Sequence, residues 1–228
     1  TMTGIPVITI DGPSGSGKGA VAVRIAEELG FTLLDSGALY RSVGIAALRN
    51  EIDLGDHQKI AELARHLNIE FGVSSPDSVW LDGEDVSLEI RTDIGSELAS
   101  QIGAIPAARE ALYERQLAFR KAPGLVADGR DMGTVVFQDA IIKIYLTARP
   151  EERAQRRYKQ LIDKGIDASL ADLLRDLKER DARDSERPIS PLKPAKDAVV
   201  LDTTDLHIDQ VVEQVLDLVS ERLVSWRS

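Results

Sequence analysis

The chain has 228 residues with 28 basic and 38 acidic side chains, a formal net charge of −10 at pH 7, which argues against broad electrostatic binding to nucleic acid or to an anionic membrane. Hydrophobic residues at 43% and charged residues at 29% are ordinary globular values, excluding disordered and fibrous classes and suiting one domain with an insertion or two small ones. With no cysteine, a disulfide framework, a thiolate nucleophile and a Cys-ligated metal are excluded as well.

Thr1 ahead of Met2 reads as a remnant added for expression and is set aside. No apolar run approaches the ~20 residues of a membrane-spanning helix, and no basic segment followed by an apolar one opens the chain. A cytoplasmic protein is expected. Val7 to Ile10 reads as a short strand, and Ala20 to Leu29 as a helix with apolar residues at Val23, Ala26 and Leu29, closed by Gly30. Phe31 to Leu34 reads as a second strand, and Asp35-Ser36-Gly37 leads into a helix over Ala38 to Arg49. Leu125 to Ala127, Ile141 to Thr147 and Val199 to Asp202 read as further buried strands. Helices are expected over Pro106 to Lys121, Pro150 to Lys164, Ser169 to Arg183 and Ile208 to about Val224. The last carries a stripe at Ile208, Val211, Val212, Val215, Val219 and Leu223. Five strands alternating with helices imply an α/β fold with a mainly parallel, doubly wound sheet and helices on both faces.

One stretch breaks the alternation. Ile69 to Val73, Val79 to Leu81 and a short piece around Val86 read as small antiparallel strands joined by turns. The expected organisation is a core of residues 1–55, 102–149 and 188–228, a small β-rich insertion at 56–101 and an arginine-rich helical region at 150–187. Nineteen of the 28 basic residues are arginine, and eight of them fall between Arg149 and Arg187. A guanidinium fork matches phosphate oxygens, although such a cluster also suits a solvated helix face. The histidines His57, His66 and His207 are scattered, and no metal site is expected of them.

The chemistry starts at Gly12-Pro13-Ser14-Gly15-Ser16-Gly17-Lys18, which fills the first seven required places of the P-loop pattern G-x-x-x-x-G-K-[ST]; Gly19 departs from the eighth. Glycines let successive backbone N–H groups face one concavity at a helix N-terminus, where phosphate is favoured, and Lys18 then reaches the β- and γ-oxygens. Asp128 and Asp131 flank Arg130 after a strand end, where ligands of open α/β sheets collect. Asp128 either holds Mg²⁺ through water or orients Arg130, the second being the preferred reading. No general base is apparent, which fits an acceptor that is already anionic.

Four blocks together resemble the bacterial cytidylate kinase family: Asp11 to Gly19, Leu34-Asp35-Ser36-Gly37-Ala38-Leu39-Tyr40-Arg41, Ala127 to Phe137, and Lys178-Glu179-Arg180-Asp181. The resemblance extends over nearly the whole chain, and the β-rich insertion is similar to that family's enlarged monophosphate-binding region. It implies the P-loop nucleoside monophosphate kinase fold with a helical lid, and transfer of phosphate from ATP, with Mg²⁺, to CMP or dCMP. By the same resemblance, residues Gly12 to Lys18 with Gly19 and Ala20 cradle the donor, under the lid arginines Arg153 and Arg157. Ser36, Tyr40, Arg41 and Arg130 hold the acceptor, with its phosphate on Ser36, Arg41 and Arg130. Arg180, Asp184 and Arg187 contact sugar and phosphate, and Ser100, Arg109 and Asp131 read cytosine. Lys18, Arg130, Arg180 and Arg187 are the expected catalytic residues. A monomer is expected. The family commonly has threonine where this chain has Ala20, so a hydroxyl beside the phosphates is missing. A nucleotide switch without an acceptor is disfavoured by the lack of an Asn-Lys-x-Asp element, while kinases for UMP, AMP, dTMP or a sugar acid stay as alternatives.

Overall fold

The computed structural model describes residues 4–228, so Thr1 and Met2 lie outside the described residues. By its internal packing the chain divides into two compact units, one formed by the chain up to Leu34 together with Phe119–Ser228, the other by Asp35–Ala118.

The first unit is built on a five-stranded sheet. Its strands are β1 (Val7–Asp11), β2 (Thr32–Asp35), β6 (Leu125–Gly129), β7 (Ile142–Thr147) and β8 (Val199–Asp202), in the order β2-β6-β1-β7-β8. β1 pairs in parallel with β6 and with β7, and β7 with β8. Central β1 and β6 are buried along their whole length, which is why both read as continuous apolar runs without alternation. In register, Asp11 lies opposite Gly129 on one side and Tyr145 on the other. The C-terminal ends of β1 and β6 therefore line up, with β7 running two residues farther to Thr147, where β1 gives way to the glycine loop, the usual ligand edge of such a sheet.

Helix α1 (Lys18–Leu29) and helix α8 (Ile208–Arg227) share one apolar cluster with the sheet, in which Val21, Ile25, Val211, Val215, Val219 and Leu223 pack with Ile8, Ile10 and Ile144. Gly30 closes α1 in the left-handed region, as expected from its place. Ile208 departs from the expected stripe. It is the first residue of α8 and lies exposed, since the helix has not yet come over the sheet there. Helices α6 (Pro150–Asp163) and α7 (Leu170–Glu186) pack on one another, and Ser169 caps α7 by accepting from Asp172 N.

The second unit holds α2 (Ser36–Arg49), α3 (His57–His66), α4 (Asp93–Gly103) and α5 (Pro106–Leu117), with a sheet of β3 (Ile69–Phe71), β4 (Val79–Leu81) and β5 (Glu84–Asp85). The antiparallel pairing of the small strands agrees with the sequence reading, but the third strand is Glu84–Asp85 and not the piece around Val86. Val86 instead turns its side chain into the core. α5 stops at Leu117, short of the expected Lys121, and neither α3 nor α4 was expected. Both start at side-chain caps, Asp56 accepting from Lys59 N and Thr92 from Gly95 N.

Candidate active site

The glycine loop joins β1 to α1 as the sequence implies, with the helix beginning at Lys18, two residues before the expected start. Gly12 donates to Gly129 O at 3.3 Å, and a Cβ on it would fall 2.2 Å from Leu146 O. No other residue fits there. Gly17 caps the helix with φ +90°, and nothing lies within 4 Å of the Cβ it lacks. The loop thus leaves open space at a helix N-terminus, where anions are favoured. Lys18 Nζ lies 3.9 Å from Asp128 Oδ1. Ser16 Oγ is 1% exposed by residue and makes no hydrogen bond among the described residues. Pro13 is buried, Ser14 and Gly19 are half-buried, and Ala20 is exposed.

The outer side of the loop is fastened by its carbonyls. Arg153 Nε donates to Ser14 O at 2.7 Å, Arg156 NH1 to Gly15 O at 3.0 Å, and Thr203 Oγ1 to Ser16 O at 3.0 Å. Arg153, expected over the donor's triphosphate, is 3% exposed and forks onto Asp181 with distances of 2.6 and 2.7 Å. Burial pulls the Arg153 guanidinium down from its ordinary pKa and pushes the Asp181 carboxyl up, while the fork's attraction opposes both shifts. Arg157 is half-buried on the same helix.

A second group in this unit centres on Asp184, which is 2% exposed. Its Oδ2 lies 2.6 Å from Arg130 Nε and its Oδ1 3.9 Å from Arg187 NH1, while Arg187 Nε donates to Ser190 O at 2.6 Å. Arg180 is half-buried one turn earlier on α7. Asp131 is buried just ahead of a π-helical turn, Met132–Val136. That turn hangs on Asp11, whose two carboxylate oxygens accept from Met132 N at 2.9 Å and Gly133 N at 2.8 Å. Burial pushes the Asp11 carboxyl up to about 7, against the pull of those two N–H groups and with help from the charges of Asp131 and Asp128.

In the second unit Ser36 is the first residue of α2, set by an Asp35 cap whose Oδ1 accepts from Ala38 N at 2.9 Å. Ser36 Oγ donates to Gln116 Oε1 at 2.7 Å, and both residues are buried. The Arg109 guanidinium stands 5.3 Å from the Tyr40 ring centroid, a cation–π distance, and its NH1 donates to Gly103 O at 3.0 Å. Ser100 is buried on α4, and half-buried Arg41 extends back along α2 over Gly37.

The family description "Cytidylate kinase" matches residues 8–221. The chain belongs to the cytidylate kinase family. It is 56% identical over 216 residues to the cytidylate kinase of Cupriavidus necator, covering 95% of this chain and 96% of that one. It is 54% identical over 217 residues to that of Nitrosomonas europaea, again 95% and 96%. A Shewanella relative is 52% identical over 221 residues, covering 96% of each chain. Against the family's motif residues, the structure adds five partners that the sequence reading gave no role: Asp11, Gln116, Arg156, Asp181 and Thr203. Asp11 and Asp181 sit inside the motif blocks and carried a visible signal. Arg156 was visible only as one of the eight clustered arginines, and Gln116 and Thr203 carried no signal, because their partners lie far off in sequence.

Proposed function

We propose that this chain transfers the γ-phosphoryl group of ATP to CMP or dCMP, giving ADP and CDP or dCDP. The observation that carries the reading is a near full-length family match on a chain whose glycine loop opens at a helix N-terminus with Lys18 as its first residue. The acceptor's phosphate oxygens are already anionic, so the protein needs no base. Positioning and charge neutralisation suffice.

Lys18 neutralises charge on the group in flight, and backbone N–H groups of the 12–18 loop, Gly15 and Gly17 first among them, hold the donor's phosphates. Arg41, Arg130 and Ser36 hold the acceptor phosphate, with Arg180 and Arg187 beside it and Asp184 setting the direction of Arg130. Mg²⁺ enters with ATP. No cluster of three or more His, Cys, Asp or Glu suited to a metal exists among the described residues, so phosphate oxygens and water would supply most of its ligands. The buried Ser16 hydroxyl without a partner and the Asp128 carboxylate are the oxygen donors at hand for it. When bound, Mg²⁺ would neutralise charge on the donor's phosphates. Ser100, Arg109, Tyr40 and Asp131 receive the base. Cytosine offers an amine to Asp131 and acceptors to Arg109 and Ser100, whereas uracil would set an oxygen against the carboxylate. One such mismatch costs about 1 to 3 kcal/mol.

The test is kcat/KM for CMP, dCMP, UMP, AMP and dTMP in an ADP-coupled assay, with Asp131→Ala and Arg109→Met alongside wild type. CMP is expected to exceed UMP by roughly ten- to more than a hundredfold in wild type, and the ratio to collapse in both variants. An unchanged ratio in both would assign base reading to other residues.

A further inference from the structure

Each of three consecutive loop carbonyls has its own donor, two of them on α6 and one just after β8. Arg153 Nε takes Ser14 O, Arg156 NH1 takes Gly15 O, and Thr203 Oγ1 takes Ser16 O. These donors are themselves held. Asp181 forks Arg153, Arg156 NH2 donates to Thr203 O at 2.6 Å, and Arg156 NH1 lies 3.2 Å from Thr203 Oγ1. The single Thr203 proton has a second acceptor in Thr147 O at 3.2 Å, slightly farther than Ser16 O. In a planar trans peptide the C=O of one residue and the N–H of the next point in opposite directions. Carbonyls held to the outer side therefore turn the following amides inward. Ser16 N makes a long bond of 3.3 Å to Pro13 O within the loop, while Gly15 N and Gly17 N make no hydrogen bond among the described residues.

We propose that Thr203, braced by Arg156, and the Asp181–Arg153 fork are positioning residues that fix the direction of the Gly17 amide and of the Gly15 amide, respectively, toward the donor's phosphates. The inference rests on the reading that residues 12–18 take those phosphates. In an unfastened loop the two amides must be reoriented at the moment of binding, so affinity for the donor falls while the acceptor is held as before.

The test uses the full chain and titration calorimetry with a non-hydrolysable ATP analogue and, separately, with CMP. Thr203→Val keeps shape and loses the hydroxyl, Thr203→Ser keeps it, and Asp181→Asn removes the charge of the fork. Glu151→Gln breaks only an exposed contact between Glu151 and Lys178 across α6 and α7 and serves as control. Thr203→Val and Asp181→Asn are each expected to weaken the analogue about tenfold with CMP affinity kept within twofold, and Thr203→Ser and Glu151→Gln to bind both as wild type does. The Gly17 amide NMR signal should move in Thr203→Val and stay in place in Thr203→Ser, and the Gly15 signal should move in Asp181→Asn. Analogue affinity unchanged in Thr203→Val and Asp181→Asn, or an equal loss for analogue and CMP, would overturn the inference. A wild type that bound CMP and not the analogue would overturn the phosphate-loop reading itself, and this inference with it.

Discussion

Asp11 shows how a residue inside a recognised motif acts through a contact that the motif does not display. Its carboxylate ends β1 and anchors the turn after Arg130 through amides 121 and 122 positions along the chain, so sequence alone gave it no task. Lys18 and Arg130 could be singled out in the sequence because Lys18 closes the glycine-loop pattern and Arg130 lies in a block that resembles the family's motif. Asp11 also makes stability depend on pH. Its pKa rises from 3.8 unfolded to about 7 folded, so between those values the native state holds the extra proton, and its contribution is complete below about pH 4 and lost as pH rises through 7. Asp11→Asn is expected to flatten the fall of Tm between pH 4 and 7 relative to wild type, by an amount worth on the order of a few kcal/mol. Parallel pH profiles of the two proteins would remove Asp11 as the cause. Ala20 makes a second case at this scale. It is exposed in the first turn of α1, so Ala20→Thr meets solvent and costs at most about 0.7 kcal/mol in helix propensity. Activity with Mg²⁺ should be kept or raised, and a loss of more than about tenfold would show that the loop needs alanine there.

Among the elements, the strands of the large sheet and the long helices were legible because buried parallel strands are apolar runs and α8 repeats its apolar residues at helical spacing. α3 and α4 were not. Each is short, and α3 carries only Ile60, Ala61 and Ala64 as buried residues, too few to show a period beside the small strands. The π-helical turn at Met132–Val136 was equally hidden, since its first two amides, of Met132 and Gly133, answer to the distant Asp11. The packing of α2 on α4 supplies a sharp check. A Cβ at Gly44 would lie 2.6 Å from Leu98 Cβ, an atom too close to the backbone to swing aside. Alanine normally gains about 1 kcal/mol over glycine inside a helix, whereas overpacking costs typically 1–3 kcal/mol. The clash should win, lowering the urea midpoint of Gly44→Ala. A midpoint at or above wild type would mean that α4 yields at Leu98.

For the molecule as a whole, a net charge of −10 opposes the approach of two anionic nucleotides, and salt screens that field beyond about 8 Å at physiological ionic strength. Binding must therefore come from local cations. Two of the arginines are held by carboxylates, Arg153 by Asp181 and Arg130 by Asp184, which restricts where these guanidiniums can point. The sequence showed the number of arginines between Arg149 and Arg187 but not their carboxylate partners, which depend on how α6, α7 and β6 meet. The central claim is transfer of the donor's terminal phosphoryl group to CMP with Lys18 acting on charge that grows in the transition state. The most direct measurement follows γ-labelled ATP in the presence of CMP, in wild type and in Lys18→Met, with CMP binding measured on both. Wild type is expected to place label in the β-phosphate of CDP, and Lys18→Met to do so at least about a hundredfold more slowly with CMP affinity nearly unchanged. Label appearing only as free phosphate in wild type, or equal CDP formation in the variant, would contradict that claim.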